Sequence, residues 1–242
     1  VETLKGDYLT AGDVNTFKED LMECSKVTKY VYGINVETSA PTSIGIFNAI
    51  RSTNNFINGK SDIKDIHVAI SGVGKVGGKL AKLLAEAGVR ITVASINLEL
   101  INKLKKEIKI MEVSPENLYK TNCDIISPCA LGGVINASTR DQLKCKGIVG
   151  AANNQLDNSE TGEWLLKNNI VYSPDYLVNS GGVIAIASEI NNTENLIEKQ
   201  LEKIGDRLEL VLTESKKNNE STDSVAKRIA WERINSSEAN EV

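Results

Sequence analysis

In the stretch SGVGKVGGKL, Gly72, Gly74 and Gly77 are spaced G-x-G-x-x-G between an apolar run and an amphipathic one. These residue types at this spacing suit one kind of chemistry. The first glycine permits a tight strand-to-helix turn, the second lets backbone approach a pyrophosphate, and the third lets the helix pack close to the strand. The helix start then turns unbonded N–H groups and a positive dipole end toward an anion. The loop of Gly72, Val73, Gly74, Lys75, Val76, Gly77 and Gly78 is therefore expected to hold a dinucleotide. The competing reading is a glycine-rich turn that binds nothing. An apolar strand before the loop, a helix after it and a second strand beyond favour the nucleotide. A Walker-type phosphate loop is excluded, since no Gly-Lys-Ser/Thr follows at the needed spacing.

The second strand ends in Ser95-Ile96-Asn97, where such a unit usually carries an acidic residue for the ribose hydroxyls. Ser95 can still bond a hydroxyl, but it does not repel a 2′-phosphate. No basic pair follows it directly. Lys103, Lys105 and Lys106 lie further along, and Arg90 starts the strand. Ser95 and Asn97 are the expected ribose contacts. NAD is the expected cofactor, with NADP also open.

These residues must be held by a repeating framework. Short apolar runs at His67–Ser71, Val89–Ala94, Asp124–Ser127, Ile148–Ala151 and Ile170–Tyr172 alternate with helical patterns. Such alternation predicts an α/β fold, a Rossmann-like doubly wound parallel sheet with C-terminal helices. Helices are expected around Val14–Cys24, over Thr42–Phe56 and over Lys79–Glu86, and one starting at Ser114-Pro115-Glu116 with Ser114 as its cap. Residues 195–234 read as helix, with Leu196, Leu201, Ile204, Leu208, Val211 and Leu212 forming a packing stripe. Three units are expected: residues 1–40, 41–190 and 191–242, the middle one binding the dinucleotide.

The bulk properties agree with an enzyme domain. The chain has 242 residues, 41% of them hydrophobic, and a formal net charge of −4. No basic stripe points to nucleic acid, no apolar run is long enough to span a membrane, and the opening residues VETLKGDYLTAGD, with no basic start or apolar core, are not expected to be a signal peptide. Cys24, Cys123, Cys129 and Cys145 form no CxxC pair and read as reduced cytoplasmic thiols. No metal site is expected. His67, on a buried strand, reads as a structural histidine.

Six segments in order, TAGDVNT (10–16), APTSIGI (40–46), VAISGVGKVGGKLAKLL (68–84), CDIISPCALGGVIN (123–136), GIVGAANNQL (147–156) and VYSPDYLVNSGGVI (171–184), resemble the glutamate/leucine/phenylalanine/valine dehydrogenase family. The leucine and phenylalanine branch is the nearest match. The resemblance implies oxidative deamination of an L-amino acid, apolar in type, to a 2-oxo acid and ammonia with a nicotinamide cofactor, in a homo-oligomer. It implies that Cys129, Ala130 and Leu131 pass the adenosine side of the cofactor. Asn153 and Asn154 would reach the nicotinamide side, and Thr42 would lie near the carboxamide. It further implies that Asn179 contacts the amino acid, and that Asp13 is a general base in proton transfer. From residue type alone, Asn179 and Asp13 would as readily be helix caps.

The sequence departs from the family at three places. The family uses two lysines upstream of the Asp13 position, one in a Gly-Gly-x-Lys motif. Residues 1–12 contain neither motif, and Lys79 belongs to the nucleotide loop. The chain is accordingly expected to be the C-terminal piece of a longer enzyme, the alternative being a non-catalytic dinucleotide-binding or subunit-interaction module. The loop INVETSA between Gly33 and Pro41 is shorter than the family's glycine-rich loop. The branch's ribose-binding aspartate is replaced by Ser95. A hydroxyacid or folate dehydrogenase would share the glycine loop but would not explain SPCALGGVIN or VNSGGVI.

Overall fold

Val68, Ala69 and Ile70 are buried on both sides, as the central strand of a parallel sheet requires. The computed structural model describes residues 1–13 and 16–238. In it, β3 (His67–Ser71) lies at the middle of a six-stranded sheet. Its neighbours are β4 (Arg90–Ala94) and, at the edge, β5 (Met111–Glu112) on one side. On the other side come β6 (Ile125–Pro128), β7 (Gly147–Ile148) and β8 (Val171–Tyr172). All pairings are parallel. Renumbered within the sheet, the order is 3-2-1-4-5-6, that of a dinucleotide-type doubly wound fold, and its switch point lies between β3 and β6. A separate two-stranded parallel pair joins β1 (Thr10–Ala11) to β2 (Val31–Tyr32).

Helices cover both faces because the strand side chains alternate. On one face Val68, Ile70, Ile91 and Val93 pack with Leu80 and Leu84 of α3 (Lys75–Glu86) and with Ile101 and Leu104 of α4 (Leu98–Glu107). Ile46 and Ile50 of α2 (Ser39–Asn58), and Leu208 and Leu212 of α9 (Ile197–Asn218), complete that core. On the other face Ala69, Ile126, Ile148 and Tyr172 pack with Leu118 of α5 (Pro115–Leu118) and Leu165 of α6 (Ser159–Lys167). Truncating a fully buried side chain such as Leu80 to alanine would cost about 2–5 kcal/mol.

Helix α9 lies along α2. The Asn48 side-chain amide donates to the Leu201 carbonyl at 3.2 Å, and a Cβ on Gly205 would stand 2.9 Å from Ser52 Oγ. The last helix is α10 (Thr222–Glu238). Of the expected stripe, Leu201, Ile204, Leu208, Val211 and Leu212 are buried. Leu196 is 42% exposed, because it belongs to a short 3-10 turn ahead of α9. Gly59 ends α2 in the left-handed region (φ 68°).

Other local expectations are corrected. Strand β5 has no apolar run to announce it, since both its residues are exposed. Strand β7 stops at Ile148, where the expected run continued to Ala151. The helix expected from Val14 begins only at Lys18, as α1 (Lys18–Ser25), where the Asp20 carboxylate accepts from the Phe17 N–H at 2.8 Å. Val14 and Asn15 themselves lie outside the described residues. Ser114 holds the cap position of α5 as expected, but its hydroxyl accepts from the Asn117 amide at 3.1 Å and makes no cap bond.

Candidate functional site

The turn from β3 into α3 uses its three glycines differently. Gly72 has φ +89°, and a Cβ there would fall 2.9 Å from the Ala130 methyl. At Gly77 a Cβ would collide with the Gly72 carbonyl oxygen and stand 3.2 Å from Cys129 Cβ. At Gly74, the N-cap of α3, a Cβ would meet nothing within 4 Å, and no side chain caps the first N–H groups. Two glycines are thus required by packing and one leaves an open cradle at a helix N-terminus, the arrangement that takes an anion. Val73 is buried beneath the turn, while Gly74 and Lys75 are exposed above it.

The opposite lip follows β6. The Cys129 N–H donates to the Ser71 carbonyl at 2.7 Å, which ties the two strand ends across the switch point. Burial pushes the Cys129 thiol up from its ordinary pKa. Ala130 is exposed and Leu131 is 71% exposed. The chain then meets residues 153–155, where Gly133 N–H donates to the Asn154 carbonyl at 2.7 Å and Ile135 N–H to that of Gln155 at 3.0 Å.

Asn153, Asn154 and Asn179 come together. The Asn179 amide donates to Asn153 Oδ1 at 2.6 Å and to the Ala151 carbonyl at 3.2 Å. Asn179 closes α7 (Asp175–Val178), and Ser180 precedes α8 (Gly181–Asn191). Its carboxamide therefore caps no helix, which removes the alternative left open by residue type. Asn154 is left-handed (φ 52°), and its N–H donates to the buried carboxylate of Asp175, which also accepts from the Tyr172 hydroxyl at 2.9 Å.

A cleft of about 860 Å³ joins the glycine turn to the N-terminal segment. Asp13, Thr42, Gly74, Lys75, Val76 and Cys129 all line it. Asp13 is not an N-cap. Its N–H donates to Thr16 Oγ1 at 3.1 Å, and α1 begins five residues later. Thr42 Oγ1 donates to the Thr38 carbonyl at 2.8 Å. Lys75 lies over the Phe17 ring at 5.8 Å from its centre, which brings the Asp13 segment onto the glycine turn.

Two carboxylates that sequence reasoning missed organise this region, Asp175 and Glu37. Glu37 accepts from the Ser39 hydroxyl, from the Ser39 N–H at 2.9 Å, from the Ala40 N–H at 2.8 Å and from Lys79 Nζ at 2.9 Å. Partial burial opposes ionisation, but the bonds from Ser39, Lys79 and Ala40 outweigh it and hold the carboxyl down to about 2. The run Glu-Thr-Ser before an apolar helix was the available signal, since acidic residues favour a helix start.

Ser95 and Asn97 stand apart from that cleft. Ser95 Oγ accepts from the Asn97 N–H at 3.2 Å, and Asn97 Oδ1 accepts from the Leu100 N–H at 3.2 Å as the cap of α4. His67 bonds through Nδ1 to the Asn122 carbonyl at 3.1 Å and through Nε2 to Thr92 Oγ1 at 2.8 Å. The carbonyl requires the proton on Nδ1, and burial pushes the imidazole pKa down, so this is a neutral structural histidine. Burial pushes the Cys123 and Cys145 thiols up to about 12, and the described cysteines are all free. Among the described residues no cluster suits a metal, and no helix is long and apolar enough to cross a membrane.

Strand order, switch point and glycine turn together define a Rossmann-type α/β domain. The Glutamate/Leucine/Phenylalanine/Valine dehydrogenase family model matches residues 95–240, and the chain belongs to that family. It is 38% identical to a phenylalanine dehydrogenase of Thermoactinomyces intermedius over 96% of its own length and 66% of that protein's. Its identity to a leucine dehydrogenase of Geobacillus stearothermophilus is 37%, over 97% and 66% of the two chains. The crystal structure of L-tryptophan dehydrogenase from Nostoc punctiforme superposes with a TM-score of 0.89 at 34% identity, covering 98% of this chain and 70% of that one. The chain thus spans about two thirds of the length of the curated relatives it matches.

Proposed function

We propose that this chain supplies the cofactor-binding half of an amino-acid dehydrogenase that oxidatively deaminates an apolar L-amino acid. The observation that carries the reading is the open cradle at Gly74, set at the switch point of the sheet and facing the cleft that Asp13 lines. A nicotinamide dinucleotide, NAD with NADP also open, fits that cradle by the chemistry of its pyrophosphate. When bound it supplies the hydride acceptor. The loop Gly72–Gly78 offers backbone N–H groups to the phosphates. Ser95 and Asn97 face the adenosine ribose, Cys129, Ala130 and Leu131 line the path along the sheet edge, and Asn153, Asn154 and Thr42 flank the nicotinamide side. Asn179 orients the amino acid through its carboxamide, and Asp13 moves the proton of the substrate amine or of water.

The relatives named as phenylalanine, leucine and tryptophan dehydrogenases support the substrate class, without fixing one amino acid. A non-catalytic dinucleotide-binding module is the second reading.

Calorimetry with NAD, NADH, NADP and NADPH tests the cofactor half, with micromolar-scale affinity for at least one expected and no saturation with any overturning it. Deamination assays separate the two readings. The 242-residue chain should turn over leucine, valine, phenylalanine and glutamate negligibly. A longer protein that includes the lysine-bearing segment should turn over an apolar one among them. Robust turnover by the shorter chain would refute the required role of the lysines.

A further inference from the structure

Strand β4 gives out at Ala94, and Ser95 follows on the carboxyl edge of the sheet. A dinucleotide seated on the Gly74 cradle has its adenosine ribose at this strand end, by the general geometry of the fold. Ser95 brings no charge, and its hydroxyl already accepts from the Asn97 N–H. The charges nearby come from the neighbouring elements. Glu112 pairs in register with Val93, so both point to the same face of the sheet. Ser95, two residues beyond Val93, continues that face. Helix α4 covers it, its Ile101 and Leu104 belonging to the same core cluster as Val93. Lys105 of that helix reaches Glu112, and its ammonium contacts the Glu112 carboxylate. Ser95, Lys105, Glu112 and Ser114 line one cavity of about 610 Å³. Sequence distance had set Lys105 aside, but the α4–β5 connection folds it back beside the ribose end.

We propose that the Lys105–Glu112 pair, and not Ser95, sets how this chain treats the 2′-phosphate that distinguishes NADP from NAD. The inference rests on the dinucleotide reading above. Paired, the two charges cancel, and a 2′-phosphate meets a neutral wall that neither attracts nor rejects it. A carboxylate removed from the pair leaves Lys105 on its four-carbon stem as a single mobile cation in the phosphate's cavity. A lysine removed leaves Glu112 as a bare anion that repels the phosphate. The 2′-hydroxyl of NAD is uncharged and responds weakly to either change. The effect is electrostatic across a partly exposed cavity, so it weakens as salt shortens the Debye length to about 8 Å at 0.15 M.

The test measures dissociation constants of NADH and NADPH by nucleotide fluorescence for wild type, Glu112→Gln, Lys105→Met and the double variant, at low and at physiological salt. The ratio of NADPH to NADH affinity should rise about tenfold in Glu112→Gln at low salt. It should fall several-fold in Lys105→Met and return near the wild-type ratio in the double variant. Free adenosine 2′,5′-bisphosphate should follow the NADPH pattern. If both nucleotides bind but the ratio is the same in all four proteins, the pair has no part in selectivity while the dinucleotide reading stands. If wild type binds neither nucleotide, both readings fall. Melting curves identify any variant that fails to fold, and Glu112→Ala then takes the place of Glu112→Gln.

Discussion

The side-chain amide of Asn179 donates to the side-chain oxygen of Asn153 at 2.6 Å, joining the end of α7 to the loop after β7. The two residues proposed to face substrate and nicotinamide are thus hydrogen-bonded to each other. A substitution at either one reaches the other.

That bond is measurable by a double-mutant cycle. Asn179→Ala, Asn153→Ala and the double variant, compared by urea denaturation, should show a coupling of roughly 0.5–1.5 kcal/mol, the net worth of a neutral hydrogen bond. Strict additivity would mean that solvent competes the bond away.

The glycines of the turn should separate binding from folding. Gly74→Val should lose at least about tenfold in dinucleotide affinity (about 1.4 kcal/mol) with its melting transition nearly intact, since a Cβ there meets nothing within 4 Å. Gly77→Ala should lower stability by about 1–3 kcal/mol or more, because its methyl collides with the Gly72 carbonyl. Calorimetry and melting curves on the same two proteins read both effects. Undiminished binding by Gly74→Val would remove the phosphate site from this turn.

With Lys105 and Glu112 paired beside an uncharged Ser95, the wild type should discriminate poorly, with NAD and NADP bound within roughly tenfold of each other. Ser95→Asp should restore an NAD preference, mainly by weakening NADP through charge repulsion. Four dissociation constants decide it. Strong rejection of NADP by the wild type would place a guarding carboxylate elsewhere.

Glu37 should make the cleft rim acid-sensitive. Its carboxyl titrates at about 2 in the folded protein against an ordinary 4.5, so its folded state favours the ionised form. The contribution is complete above 4.5 and is lost as pH falls toward 2. Glu37→Gln should melt lower than wild type at pH 7, and the gap should close on acidification across that window. A gap that does not change with pH would assign the bonds of Glu37 no share in stability.

The parts legible in the sequence are those whose causes are local. Gly72 and Gly77 are demanded by one turn, and β3, β4 and β6 announce themselves because both faces are buried. Strand β5 was invisible because an exposed two-residue edge strand needs no apolar run, only a neighbour to pair with. Asp175 and Glu37 were invisible for a different reason. The Asn154 N–H that Asp175 holds and the Lys79 that Glu37 pairs with lie far away in sequence, and only the fold brings them close, although the bonds of Glu37 to Ser39 and Ala40 are local. Lys105 was discounted on sequence distance and returned by the hairpin-like course of α4 and β5.

The close approach of Gly72 and Gly77 to Ala130 and Cys129 has a consequence for anyone recombining relatives of this chain. The two loops are cut to each other's shape, so a glycine loop grafted from another dehydrogenase carries with it a demand on residues far downstream, Cys129 and Ala130. A chimera joined anywhere between them inherits two halves of different keys. One that exchanges both segments together keeps the lock.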